Sequence, residues 1–159
     1  MPRPISGDYR LGRRLVTGAL DPSGLELAFS LDNNRVYCHV EATPSLVGKA
    51  RVVPPGVVMA VVDDLAHASV AALRKRVGVT RETRVRFLKP AYAGDTLRAD
   101  GLLVGEVNGL FTVGIRILNH KEQLCIEVET EIFALTAEQV RRMTPDGMIP
   151  FELKRYFPS

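Results

Sequence analysis

Two adjacent carboxylates and an imidazole, Asp63, Asp64 and His67, interrupt a run that is otherwise apolar on every side from residue 57 to residue 72, apart from Ser69. A carboxylate in such surroundings lies at the edge of the burial, is paired, or is there for chemistry, because an unpartnered buried charge is costly. His67 follows Asp63 by four residues and Asp64 by three, so on a helix its ring can reach either carboxyl group. Asp63 and Asp64 would themselves point about 100° apart around the axis.

The run reads as one helix. Residues 57–77 contain neither Gly nor Pro, they follow the turn-forming Pro54-Pro55-Gly56, and Gly78 ends them. At about 1.5 Å per residue this is a rod about 30 Å long, and a helix apolar all round is a buried one. Arg74, Lys75 and Arg76 fall in its last turn, where cations favour the negative end of the dipole, and Gly78 is placed as its C-terminal stop.

Strand signals flank the helix. LELAFSL (residues 25–31) and RVYCHVE (35–41) alternate apolar and polar residues around an Asp32-Asn33-Asn34 turn. After the helix the period is two throughout: residues 83–88, closed by Lys89-Pro90, then 96–107, the Asn108-Gly109 turn, 110–118, a turn at 119–123, and 124–135. These read as four antiparallel strands joined by hairpins. Thr136 and Gln139 have the spacing of a capping box, which predicts a short helix from residue 137 to about 143. The tail, with Met148, Ile149, Phe151, Leu153, Tyr156 and Phe157, is too apolar for a free linker and is expected to pack on the body or on a neighbouring subunit. Prolines and glycines in the first twenty residues suggest an irregular arm, with a short helix near residues 9–16.

A chain of 159 residues supports one ordinary core, so a single domain is expected: core 25–135, N-terminal arm 1–24 and C-terminal extension 136–159. With 46% hydrophobic and 25% charged residues the composition is that of a soluble globular protein, and no run approaches eighteen uncharged apolar residues. The basic N-terminus has no apolar stretch behind it to act as a signal sequence. A cytoplasmic location without a membrane partner is the expectation. The net charge is +3 and the isoelectric point about 9.1, but basic and acidic residues are interspersed, a weak signal that argues against a nucleic-acid partner. Cys38 and Cys125 lack partner spacing and read as buried free thiols. His39 and His120 fall in separate elements from His67, so no metal site is expected. G-x-S-x-G, P-loop and dinucleotide fingerprints are absent, which argues against a serine hydrolase, an NTPase and a Rossmann enzyme.

Two strands, a long apolar helix and four more strands resemble the α+β hot-dog fold, in which a curved antiparallel sheet, here of about six strands, wraps one central helix. Within that fold the chain is most similar to acyl-CoA thioesterases of the 4-hydroxybenzoyl-CoA and phenylacetate-pathway type. Gly56 followed seven residues later by Asp63, then Phe87-Leu88-Lys89-Pro90, then Gly94-Asp95 carry the likeness. Where that family has His-Gly before its second glycine, this chain has Pro54-Pro55, which leaves the glycine and the acid as the matching positions.

The resemblance implies hydrolysis of a small-to-medium acyl-CoA thioester, with coenzyme A as part of the substrate and no separate cofactor. Free N–H groups in a helix's first turn carry partial positive charge, so those near Gly56 and Val57 are the candidate oxyanion donors. Asp63 becomes the general base or nucleophile, with Asp64 and His67 beside it as further candidates. Because Asp63 lies about 10 Å along the axis from Gly56, the resemblance also implies paired subunits, a homodimer or dimer of dimers, with the acid of one opposite the turn of the other. Arg84, Arg86 and Lys89 are the candidates to meet the coenzyme's phosphates, with Lys49 and Arg51 as further options. Two rival readings share the fold. One is a non-catalytic acyl-CoA binder or sensor. The other is a hydratase or dehydratase, disfavoured by Val61 where those enzymes carry Glu and by a loop without histidine between His39 and His67.

Overall fold

A computed structural model describes residues 1–5, 25, 27–47 and 50–158. The short helix expected near residues 9–16, and Lys49, lie outside the described residues. In chain order the elements are β1 (Arg3–Pro4), β2 (Ser30–Asp32), β3 (Arg35–Glu41), α1 (Pro55–Arg74), β4 (Gly78–Phe87), β5 (Thr96–Val107), β6 (Leu110–Leu118), β7 (Leu124–Ala134) and α2 (Ala137–Met143), with 3-10 turns at Pro44–Leu46 and Phe151–Tyr156.

The strands form one antiparallel sheet in the order β1-β2-β3-β5-β6-β7-β4. It has seven strands where about six were expected, the addition being the two-residue β1. The expected run of four hairpin-linked strands is also corrected. β4 does not pair with β5, which follows it, but crosses to the far edge and pairs with β7, because β3 occupies the free side of β5. The segment carrying Pro90 and Gly94 makes that crossing, with a single bridge from Tyr92 to Val52.

Helix α1 lies against β3, β5, β6 and β7. Its own Val62, Leu65, Ala66 and Ala68 are fully buried, and each large side chain so placed contributes about 1.5–3 kcal/mol of transfer free energy. α1 is long and apolar enough to cross a membrane, but 61% of that window is buried inside the molecule, which marks it as the core element. It stops before Gly78: Lys75 takes the left-handed conformation (φ 55°) and donates its N–H to Ala71, so Gly78 instead opens β4. There a side chain would collide with the Phe133 carbonyl, 2.4 Å from an ideal Cβ.

At the other places where local chemistry decides structure, expectation and structure agree. Asn108 and Gly109 take positive φ values (50° and 78°) and join β5 to β6. Thr136 and Gln139 form the reciprocal capping box of α2. The C-terminal tail packs on the body, burying Leu153 and Tyr156 in the same core cluster as α1. Residues 27–29 lie outside any strand although Leu27 and Phe29 are buried, so β2 is shorter than its alternation suggested.

Candidate active site

Asp63 lies midway along α1 and turns toward β4, the long edge strand. Its Oδ1 accepts a hydrogen bond of 2.6 Å from the Thr80 hydroxyl, and its side chain retains 33% exposure. His67, one turn further on, places Nε2 3.0 Å from the same hydroxyl and 3.7 Å from Asp63 Oδ1. One hydroxyl therefore sits between the carboxylate and the imidazole. The ring is 9% exposed, so the cluster is anchored in the core on one side and open at the sheet edge on the other.

Thr80 is the residue that sequence reasoning missed. It reaches the helix through a β-bulge: Thr80 pairs with Ile132 and Glu82 with Glu131, leaving Arg81 as the extra residue between them. Thr80 thus shares the inner face with buried Ile132, while Glu82 faces outward. Such bulges re-aim side chains next to functional groups. The strand expected after the helix began only at residue 83, whereas β4 begins at Gly78, so Thr80 fell outside any expected element. Further along the same inner face Thr130 donates to Thr83 at 3.2 Å, adding two hydroxyls to this side of the sheet.

Asp64 points elsewhere. It is 0% exposed, and its charge acts on Cys38 of β3. Burial, reinforced by Asp64 and then Asp100, pushes the Cys38 thiol up to about 12. Asp64 is therefore a core carboxylate, about 100° around the helix from Asp63.

At the start of α1 the two expected donors differ. The Val57 N–H is committed to the Pro54 carbonyl at 3.0 Å, and Val58 shares that acceptor at 3.3 Å. Pro55 has no N–H. The Gly56 N–H is the first-turn donor that no described carbonyl takes, and Gly56 is exposed, with nothing within 4 Å of an added Cβ. Beside it opens an apolar cleft of about 350 Å³ between Pro55 and Val58 on one wall and Phe87, Leu88 and Lys89 on the other.

The three basic candidates divide between two faces. Lys89 lines the cleft at the helix start. Arg84 and Arg86 project from the opposite, outer face of the sheet, where they line a separate cleft of about 610 Å³. There Arg84 pairs with Glu82 at 2.6 Å and Arg86 with Glu127 at 3.4 Å. The structure does not bring Arg84 or Arg86 to the side that carries Asp63 and Gly56. Arg51, with φ 55°, lies in the loop before the helix. Among the described residues no three His, Cys, Asp or Glu side chains are grouped to hold a metal ion.

The model of the thioesterase superfamily matches residues 39–126, from the middle of β3 into β7, a span that includes all of α1, the bulged edge strand and the cleft. The chain belongs to the thioesterase superfamily. No curated protein sequence matches the chain. Solved structures of similar architecture include the Escherichia coli PaaI protein of the phenylacetic acid degradation operon (17% identity, 65% of this chain and 79% of that one, TM-score 0.62). An acyl-CoA hydrolase of Staphylococcus aureus, solved with butyryl coenzyme A, is 23% identical over 67% of this chain and 66% of its own, with a TM-score of 0.64. A hypothetical thioesterase of Streptococcus pneumoniae TIGR4, solved with coenzyme A, is 18% identical over 64% and 78%, with a TM-score of 0.61. At these identities the likeness is one of fold. The superfamily member described here has the hot-dog architecture, an antiparallel sheet around a central helix.

Proposed function

We propose that this thioesterase-superfamily chain hydrolyses a small-to-medium acyl-CoA thioester, working as at least a dimer. The observation that carries the reading is the Asp63 carboxylate, held at 2.6 Å by Thr80 on the core helix yet one-third exposed at an open sheet edge. A base so placed removes a proton from water while the water oxygen adds to the thioester carbonyl carbon. The carbonyl π electrons move to oxygen, and collapse of that oxyanion breaks the C–S bond. The coenzyme thiolate then takes the proton from Asp63, so charge and protons balance. Attack by the carboxylate itself, followed by hydrolysis of the resulting anhydride, uses the same position.

An N–H group aimed at the forming oxyanion lowers the barrier, and the Gly56 N–H is the first-turn donor of α1 that no described carbonyl takes. Seven residues of helix, about 10 Å of rise, separate it from Asp63, so one chain does not present both to one carbonyl. A second copy pairing along the open β4 edge would stand beside Asp63 and bring its own helix start to the substrate. Phe87, Leu88 and Tyr92, each about half exposed near the helix start, support a covering partner there. The apolar cleft beside Pro55 and Val58 is the proposed acyl pocket, and its volume fits a short or medium chain. Thiol release measured over a panel of acyl-CoA esters tests the proposal. Binding of acyl-CoA without thiol release from any ester would establish the sensor reading, which the committed Val57 N–H and the Pro54-Pro55 turn favour.

A further inference from the structure

We propose that His67 is a positioning residue that orients Asp63 through the Thr80 hydroxyl, an inference that rests on Asp63 being the reacting carboxylate. Counting protons fixes the direction of each bond. An ionised carboxylate only accepts hydrogen bonds, and a threonine hydroxyl has a single proton to give. Thr80 gives it to Asp63 Oδ1 at 2.6 Å. Thr80 Oγ1 therefore meets His67 Nε2, 3.0 Å away, only as an acceptor, and Nε2 must carry a proton.

The chain of donors then runs in one direction, from Nε2–H of His67 to Oγ1–H of Thr80 to Oδ1 of Asp63. His67 does not hydrogen-bond Asp63 directly, since 3.7 Å is beyond hydrogen-bond reach, so the hydrogen-bonded path between them runs through the hydroxyl. The ends of this relay differ in mobility. The ring is buried on the core helix, whereas Thr80 is exposed on the edge strand. A hydroxyl rotor at an exposed edge is free to turn toward water, and an N–H fixed in the core that occupies its lone pair removes that freedom. His67 thereby holds the Thr80 proton on the carboxylate and the carboxylate plane in one orientation.

The proposal is tested first without activity. In ¹⁵N-labelled protein, long-range proton–nitrogen correlations report which ring nitrogen is protonated, and the three histidines are told apart with His39→Gln and His120→Gln. The expected result is a protonated His67 Nε2 whose signal moves in Thr80→Val and in Asp63→Asn. A His67 bearing its proton only on Nδ1, or a His67 signal indifferent to Thr80→Val, overturns the relay. The second readout is kinetic: Thr80→Val and His67→Leu each lower kcat about tenfold at unchanged KM, the double variant is no slower than either single one, and Thr80→Ser restores the rate. A hundredfold loss in the double variant means two independent roles and overturns it. Should His67→Leu fail to fold, the exposed Thr80→Val still decides the question through the His67 signal. A native protein that releases thiol from no ester removes the hydrolase reading, while the His67 proton position still decides the relay.

Discussion

Asp63 and Asp64, joined by one peptide bond, meet different surroundings: the first meets Thr80 on the edge strand β4, and the second is 0% exposed and acts on the Cys38 thiol of β3. The 100° step between successive helical residues makes this division. It also separates two effects that mutation would otherwise confuse.

Asp63→Asn is expected to lower acyl-CoA hydrolysis by about 10²–10⁴-fold, the usual contribution of a general base, with little change in melting temperature because the side chain is partly exposed. Asp64→Ala is expected to do the reverse, costing about 1–3 kcal/mol of stability because truncating a fully buried side chain leaves a cavity, while the folded fraction keeps its turnover. Thiol-release kinetics and thermal melts on both variants check the pair. Normal turnover by Asp63→Asn would remove Asp63 from the mechanism.

The basic residues divide by face, and their variants should divide likewise. Lys89→Ala is expected to raise KM for acyl-CoA about tenfold, the worth of one charge-assisted hydrogen bond to a phosphate. Arg84→Ala and Arg86→Ala remove exposed ion pairs from the outer face and should leave KM within about twofold. A KM raised by the arginine variants and not by Lys89→Ala would place the coenzyme on the other side of the sheet.

Gly101 sets the distance between helix and sheet. An ideal Cβ there would lie 2.6 Å from Ser69 Oγ and 3.3 Å from Leu65 Cγ, and both neighbours are fully buried. Gly101→Ala is therefore expected to destabilise by about 1–3 kcal/mol, the cost of overpacking. Adding Ser69→Ala removes the nearest atom and should recover part of that loss in a denaturant titration. No recovery would mean that the backbone of β5, not the serine, resists the change.

Cys38 offers a test by pH. With the thiol raised to about 12 by burial and by Asp64 and Asp100, only about one molecule in ten thousand carries the thiolate at pH 8. Alkylation at pH 8 should thus be undetectable in the folded protein and prompt in denaturant, where the ordinary value near 9.0 returns. The thiolate fraction, and with it the rate, should rise about tenfold per pH unit below 12. Rapid native labelling at Cys38, read by mass spectrometry, would show that β3 opens to solvent.

What was legible in the sequence is what local physics controls. The Gly- and Pro-free apolar run dictated α1 to within a few residues, the Asn108-Gly109 pair its hairpin, and Thr136 with Gln139 the cap of α2. Asp63 stood out for the same reason, as a charge inside an apolar helix. Pairings between residues far apart in the chain were not legible. The crossing of β4 to the far edge depends on which strand already occupies β5, and the Arg81 bulge that turns Thr80 inward appears only once β4 is in register with β7. Alternation within residues 83–88 set Arg84 and Arg86 on one face, but which face met the helix was decided by that register. The commitment of Val57 to Pro54 likewise emerged from the tight first turn after Pro54-Pro55. Sequence by itself determined the helix and the acid it carries; the tertiary structure decided the hydroxyl and imidazole that hold that acid, because hydrogen bonds of about 3 Å require an alignment of backbones that no local pattern encodes.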